Sequence, residues 1–198
     1  MSTPQPLPST LPQQATALVV IDVQHGFDEL AHWGGARNNP QAETNIYALL
    51  TAFRAAKRPV WHVHHHSLEA GCPLNPDFSP EGFAAVPLCA PIEGERRLTK
   101  HVNSSFIGTT LEEELRARGI TTLVLCGLTT NHCVSTTTRM AGNLGFDTYL
   151  VGDACATFDR VGVDGRKWSA EDVHQCSLSD LHREFAWVVT TDEVVKAV

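Results

Sequence analysis

No uninterrupted apolar run in this 198-residue chain approaches the roughly 20 residues that a membrane-spanning helix requires, so the expectation is a soluble protein without a membrane partner. Positive charge is scarce. Fifteen Lys and Arg face twenty-two Asp and Glu, a net charge of −7, which opposes binding to a phosphate backbone unless the cations are concentrated on one face. The one local basic group is Arg96, Arg97, Lys100 and His101, and no nucleic-acid recognition motif accompanies it, so no nucleic-acid partner is expected. Regular cysteine spacing is also missing. The six cysteines, at 72, 89, 126, 133, 155 and 176, are scattered and several fall in apolar segments, unlike a secreted disulfide scaffold; a reducing cytoplasm is the expected location. Residues 1–14 are rich in Pro, Ser, Thr and Gln, with neither a basic start nor an apolar centre. They read as a flexible N-terminal arm rather than a secretory signal. Residues 15–198 then form a single domain, long enough to bury about 70% of the surface of the unfolded chain. No internal repeat is present.

What is there is an alternation of short apolar runs with helical patterns, the signature of a parallel sheet covered by helices on both faces. Strands are expected at Ala17 to Val23, Pro59 to His65, near Leu98, Thr122 to Gly127, Asp147 to Val151 and Ala186 to Thr190. Nearly continuous Leu18-Val19-Val20-Ile21 suits a strand buried on both faces. Between Pro40 and Lys57, Ala42, Ile46, Leu49, Leu50 and Phe53 recur at helical spacing. Thr110 and the glutamates around Glu113 form a capping-box pattern, and Gly119 is placed to stop that helix. A further helix follows Cys133 through Val134, Thr137, Ala141 and Leu144, and a last one opens at Ser169 and runs through Val173, Cys176 and Leu181 toward Phe185. The interval from Ser67 to Glu95, full of Pro and Gly, is too long for an ordinary connection and is expected to be a lid or a subunit contact.

Ligands of open parallel sheets bind beyond the carboxyl ends of the strands, and three chemically capable residues fall there. Asp22 closes the apolar run Val20-Ile21-Asp22, where ionisation is costly without a partner. Lys100 follows the short strand near Leu98. Cys133 lies where an apolar strand breaks into Gly127-Leu128-Thr129-Thr130-Asn131-His132-Cys133 and a helix begins, a setting in which the helix dipole favours the thiolate. Singly, each has a plain alternative: a turn-forming carboxylate, a surface lysine, a buried thiol. Jointly they make an acyl-transfer unit, in which a thiol attacks a carbonyl, Asp22 carries its proton, and Lys100 supports the anionic forms.

The segments Ile21-Asp22-Val23-Gln24 with Phe27, Thr99-Lys100-His101-Val102-Asn103-Ser104-Ser105-Phe106, Gly127 to Val134, and Asp153-Ala154 resemble the isochorismatase-like cysteine hydrolases, which include nicotinamidases and carbamoyl-sarcosine and ureidoacrylate amidohydrolases. The resemblance runs from about Ala17 to Thr191. It implies a three-layer α/β/α, Rossmann-like fold on a six-stranded parallel sheet, with Asp22, Lys100 and Cys133 as the catalytic triad. A cis peptide between Leu128 and Thr129 is implied too, with the backbone N–H groups of Thr129 and Cys133 forming an oxyanion hole. It further implies a homodimer or homotetramer acting on a small molecule without an organic cofactor. Some members that cleave the vinyl ether of isochorismate lack the cysteine, so Cys133 favours cleavage of a C–N bond in an amide, lactam, carbamoyl or ureido compound. Vinyl-ether hydrolysis, or a noncatalytic binding role on the same fold, is the alternative.

Trp61-His62-Val63-His64-His65-His66 places residues 62, 64 and 66 on one side of a strand. No Asp stands two residues before His64 and no spaced His follows, unlike the metal set of nicotinamidases, so no metal is expected here. Phe27, Trp33, His64, Phe106, Asn131 and Phe158 are the candidate pocket residues, since they follow strands or flank the nucleophile.

Overall fold

The computed structural model describes residues 3–198; the first two residues of the N-terminal arm lie outside the described residues. The chain runs through β1 (Thr16–Ile21), α1 (Leu30–Trp33), α2 (Ala42–Ala55), β2 (Val60–His65), α3 (Pro80–Phe83), β3 (Arg96–Lys100), α4 (Leu111–Ala117) and β4 (Thr122–Leu128). It continues through α5 (Ser135–Asn143), β5 (Asp147–Ala156), β6 (Arg160–Val161), β7 (Lys167–Trp168), α6 (Ala170–Leu181), β8 (Trp187–Val189) and α7 (Thr191–Ala197). Six strands form one parallel sheet in the order β3-β2-β1-β4-β5-β8. The chain therefore builds outward from β1 to one edge, returns to β4, and builds to the other. Strand order reverses between β1 and β4, and a crevice opens beyond their carboxyl ends.

Strand alternation sorts the core into two layers. Leu18 and Val20 of β1, with Val124 and Cys126 of β4, face Ile46, Leu49, Leu50 and Phe53 of α2 and Val194 of α7. Ala17, Val19 and Ile21, with Leu123 and Leu125, face Leu111 and Leu115 of α4, Ala141 of α5 and Leu178 and Leu181 of α6. This is the expected three-layer α/β/α arrangement. Leu11, inside the expected arm, is buried in the first layer and its N–H donates to Ala197 O at 2.8 Å, so the chain is already packed four residues before the domain boundary placed at 15.

Several local expectations change. Strand β1 stops at Ile21 because Asp22 turns into the left-handed region at φ 52°, a conformation that Asp tolerates better than most side chains. No capping box forms on α4: Thr110 caps nothing, and its hydroxyl donates to Glu114 Oε1 at 2.8 Å. Gly119, at φ 68°, does end that helix. Strand β5 runs on to Ala156, so Asp153 lies within it, and its Oδ1 accepts from both N–H and hydroxyl of Thr191 at the start of α7. On α6 the inward face is His174, Leu178 and Leu181, while Cys176 is exposed. The β6/β7 hairpin and α7 are additions to the expected elements. Among the described residues no helix is long and apolar enough to cross a membrane.

Candidate active site

Three strand ends converge on the crevice. Asp22 follows β1, Lys100 is the last residue of β3, and Cys133 lies in a π-helical turn, Thr130–Val134, that links β4 to α5. The turn is tight at its base: Gly127 has φ 127°, and a Cβ there would stand 1.9 Å from Ile21 O. Only glycine allows β4 to pass β1 this closely at the crevice. The Leu128–Thr129 peptide bond is cis, and Thr129 O accepts from the N–H groups of both His132 and Val134.

Lys100 Nζ is the hub. It donates to Asp22 Oδ2 at 2.6 Å and to Cys133 Sγ at 3.2 Å, and lies 3.1 Å from His65 Nδ1. Asp22 and Lys100 are fully buried and Cys133 is 8% exposed. Burial presses the ammonium toward its neutral form, but the Asp22 carboxylate and the thiol outweigh it and hold Lys100 above its ordinary value. For Cys133, burial dominates and the Asp22 charge adds to it; together they overcome Lys100 and push the thiol well up. Burial and the Asp22 charge thus oppose the thiolate that the helix dipole favours. The place of Cys133 in the turn adds to this, because it is the fourth residue of the helical run rather than its first. Asp22 Oδ1 is buried without a hydrogen-bond partner, and an oxygen of this carboxylate lies within 4.8 Å of Cys133 Sγ.

One oxygen of Asp22, one ring nitrogen of His65 and Cys133 Sγ lie within 4.8 Å of one another, a set of metal-ligand types. Each of them touches Lys100 Nζ, so an ammonium already occupies the centre on which the three converge. The alternate histidines of β2 are engaged elsewhere. His62 Nε2 lies 2.9 Å from Glu95 Oε2, while His64 and His66 meet the ring of Phe83 edge-on.

Above Cys133 is a cavity of about 150 Å³. Phe27, His32 and Trp33 form one wall; Ser67, Glu69, Cys72 and Leu74 of the long loop form another; His65, Asn103, Thr129 and His132 complete it. The loop is thus part of the chain's own pocket. Trp33 is fixed by its indole N–H, which donates to Gly26 O at 2.7 Å, and by its ring against Phe27. A wider depression of about 420 Å³, lined by His25, Asp28, Glu29 and Glu81 among others, contains none of the three converging residues.

Residues 16–193 match the model of the isochorismatase domain family. The chain belongs to the isochorismatase family. YrdC, an isochorismatase family protein of Bacillus subtilis (strain 168), is 46% identical over 92% of this chain and 96% of its own length. A solved isochorismatase-family structure from Chromobacterium violaceum ATCC 12472 is 39% identical, superposes with a TM-score of 0.88 and is matched over 100% of this chain and 98% of that one. A cysteine hydrolase from Pseudomonas syringae pv. phaseolicola 1448A, 28% identical, gives a TM-score of 0.85 over 100% and 97% of the two chains.

In this isochorismatase-family hydrolase, Phe27 and Trp33 line the cavity, while Asn131 and Phe158 line a small recess beside it that also contains Trp33, Thr129 and His132. Two expected pocket residues do not reach it. Phe106 stacks on Phe146 against the second core layer, and His64 points to the opposite side of the sheet from Lys100. His65 takes that place, a one-residue error that strand alternation turns into a change of face. The register could have signalled it, since His65 lies directly beside Lys100 across β2 and β3. Asn103, whose Oδ1 is 3.6 Å from Cys133 Sγ, was visible only as a member of the lysine motif. His132 was visible only as a neighbour of the nucleophile, and residues 67–74 only as part of the long loop from Ser67 to Glu95.

Proposed function

We propose that this hydrolase cleaves a C–N bond of a small amide, lactam, carbamoyl or ureido compound through a thioester on Cys133. The observation that carries the reading is Lys100 Nζ held between Asp22 Oδ2 and Cys133 Sγ, with an Asp22 oxygen within 4.8 Å of that sulfur. As substrate binds, the thiol proton passes to Asp22 and sulfur attacks the carbonyl carbon. Lys100 offsets the negative charge that moves from carboxylate to sulfur. Backbone N–H groups of Thr129 and Cys133 receive the oxyanion, one such donor being worth about 2.7–4 kcal/mol of barrier. Protonated Asp22 then gives its proton to the leaving nitrogen, the C–N bond breaks, and ammonia or an amine departs. Water, deprotonated by Asp22, attacks the thioester; collapse releases the acid and restores the thiol.

We place this chemistry in a reducing cytoplasm, in keeping with six cysteines that are all free, and in a homo-oligomer. The test is intact-protein mass spectrometry during turnover of an amide and ureido panel. The native chain is expected to carry a transient acyl adduct mapped to Cys133. Cys133→Ala is expected to lose both adduct and turnover. Undiminished turnover in that variant would refute the mechanism.

A further inference from the structure

Just beyond β2 the chain folds back on itself. Ser67 N–H donates to Leu74 O at 3.1 Å and Asn75 N–H to Cys72 O at 2.9 Å. Within this turn the backbone of Glu69 is engaged on both sides. Its N–H donates to Ser67 Oγ at 3.2 Å, and its carbonyl accepts from Cys72 N–H at 3.3 Å and from the Asn75 side-chain amide at 3.1 Å. Gly71, at φ 81°, permits the reversal. These bonds fix where the Glu69 side chain starts, and that side chain borders the cavity over Cys133 together with Ser67, Cys72 and Leu74 of the same turn.

The Glu69 carboxylate itself holds nothing. Glu43, Glu95, Glu112 and Glu114 each pair with an arginine, but among the described residues no Lys, Arg or His forms a salt bridge with Glu69. Among the described residues bordering the cavity it is also the one Asp, Glu, Lys or Arg. Lys100 lies beneath the cavity and is already paired with Asp22, and Arg160 borders only the smaller recess beside it. His65 and His132, which do border the cavity, are held below their ordinary value chiefly by burial, so at neutral pH they carry no charge. A fixed negative charge thus stands on the wall with no fixed positive charge to balance it. The rings of Phe27 and Trp33, 4.7 Å apart, border the same cavity, and aromatic faces attract cations. The net charge of −7 draws cations toward the molecule as a whole.

We propose that Glu69 is a specificity residue that receives a positive charge, and that the substrate is a small amide, lactam, carbamoyl or ureido compound carrying an ammonium or amidinium group. The identity of the bond cleaved rests on the role proposed above for Cys133; the cationic end rests on Glu69 and the aromatic rings. The reacting carbonyl lies at the sulfur, the body of the molecule lies against Trp33 and Phe27, and its charged end lies at Glu69. The plain alternative is a solvated surface carboxylate, which discriminates between nothing in the cavity.

Benzylammonium and its neutral near-isostere benzyl alcohol, neither of which carries an acyl group, are titrated calorimetrically into the full chain at neutral pH. The native protein is expected to prefer benzylammonium by about five-fold or more, the range of an exposed ion pair together with a cation–π contact. Glu69→Gln, which keeps the shape and removes the charge, is expected to abolish the preference while leaving benzyl alcohol binding as it was. Glu69→Lys is expected to reverse it. A native protein that binds benzylammonium no better than benzyl alcohol, or not at all, overturns the proposal, as does a preference untouched by Glu69→Gln. Failure of this reading and failure of the nucleophile are distinguishable. A Glu69-dependent preference alongside continued amide turnover in Cys133→Ala keeps the cation site and discards the thioester. An acyl adduct on Cys133 in a protein without the preference does the opposite.

Discussion

At Lys100 a single ammonium supports both anions that acyl transfer requires, and it does so wholly out of water. Removing it leaves the Asp22 carboxylate buried and unpaired, a change that typically costs about 3–5 kcal/mol. Lys100→Met, close in length and apolar, is therefore expected to lower the urea midpoint strongly as well as to abolish turnover. The pH dependence has a definite sign. Lys100 is held above its ordinary value of 10.5, so the folded state keeps this proton more tightly than the unfolded chain. Its contribution is complete below pH 10.5 and declines as pH rises through the higher folded value. Urea titrations from pH 9 upward should show this alkaline loss in the native chain; a Lys100→Met protein with the same alkaline slope would contradict the assignment. Asp22, Lys100 and Cys133 were legible in the sequence because each is a reactive side chain at an apolar strand end. The burial that opposes ionisation of Cys133 was not. A helix dipole is worth about 0.3–1 kcal/mol, whereas burying a charge costs several, and burial depends on packing that no single residue reveals.

The π-helical turn carrying Cys133 is held from behind by α6. Buried His174 places Nδ1 2.8 Å from Thr130 Oγ1, and Asn39 Nδ2 lies 3.4 Å from its Nε2 while also donating to Cys155 O at 2.7 Å. Because the Asn39 amide is a donor, Nε2 accepts and the ring proton sits on Nδ1, facing Thr130. One imidazole thus joins α6, the loop before α2 and the turn that positions the sulfur. His174→Ala is expected to lower kcat by up to about 100-fold with little change in KM, since displacement of a nucleophile by an ångström can cost that much. His174→Asn should recover part of the loss. If His174→Ala melts earlier but turns over normally, the residue only stabilises the fold. Hydrophobicity had put Val173 and Cys176 on the inner face of α6, because a buried polar residue is invisible to an apolar periodicity. The same limit hid β6 and β7, which at two residues each have no period to read. By contrast α2, with five apolar residues at regular spacing over 14 positions, was plain.

Across the whole molecule, the sheet order β3-β2-β1-β4-β5-β8 brings residues 22, 100 and 133 together, although they are far apart along the chain. The alternation of elements indicated a parallel sheet and resemblance to a family its six strands, but the strand order was not legible, since no local pattern states which strand lies beside which. The same packing buries several histidines in neutral form, and this sets a second pH limit. His62, His64, His65 and His174 are all held below the ordinary value of 6.5, in each case chiefly by burial, and His64 falls to about 4. For a lowered histidine the unfolded chain binds more protons than the folded one, so stability falls as pH drops from 6.5 toward the folded value. For His64 alone, the gap between 6.5 and about 4 corresponds to at most about 3 kcal/mol, fully lost only below pH 4. Urea midpoints measured from pH 7.5 to pH 4.5 should therefore decline steadily. His64→Gln, which is neutral throughout, should flatten that decline even if its midpoint at pH 7.5 is lower. Equal slopes in the two proteins would mean that His64 takes up its proton without cost in the folded state, and that its place between Phe83 and the sheet is open to water.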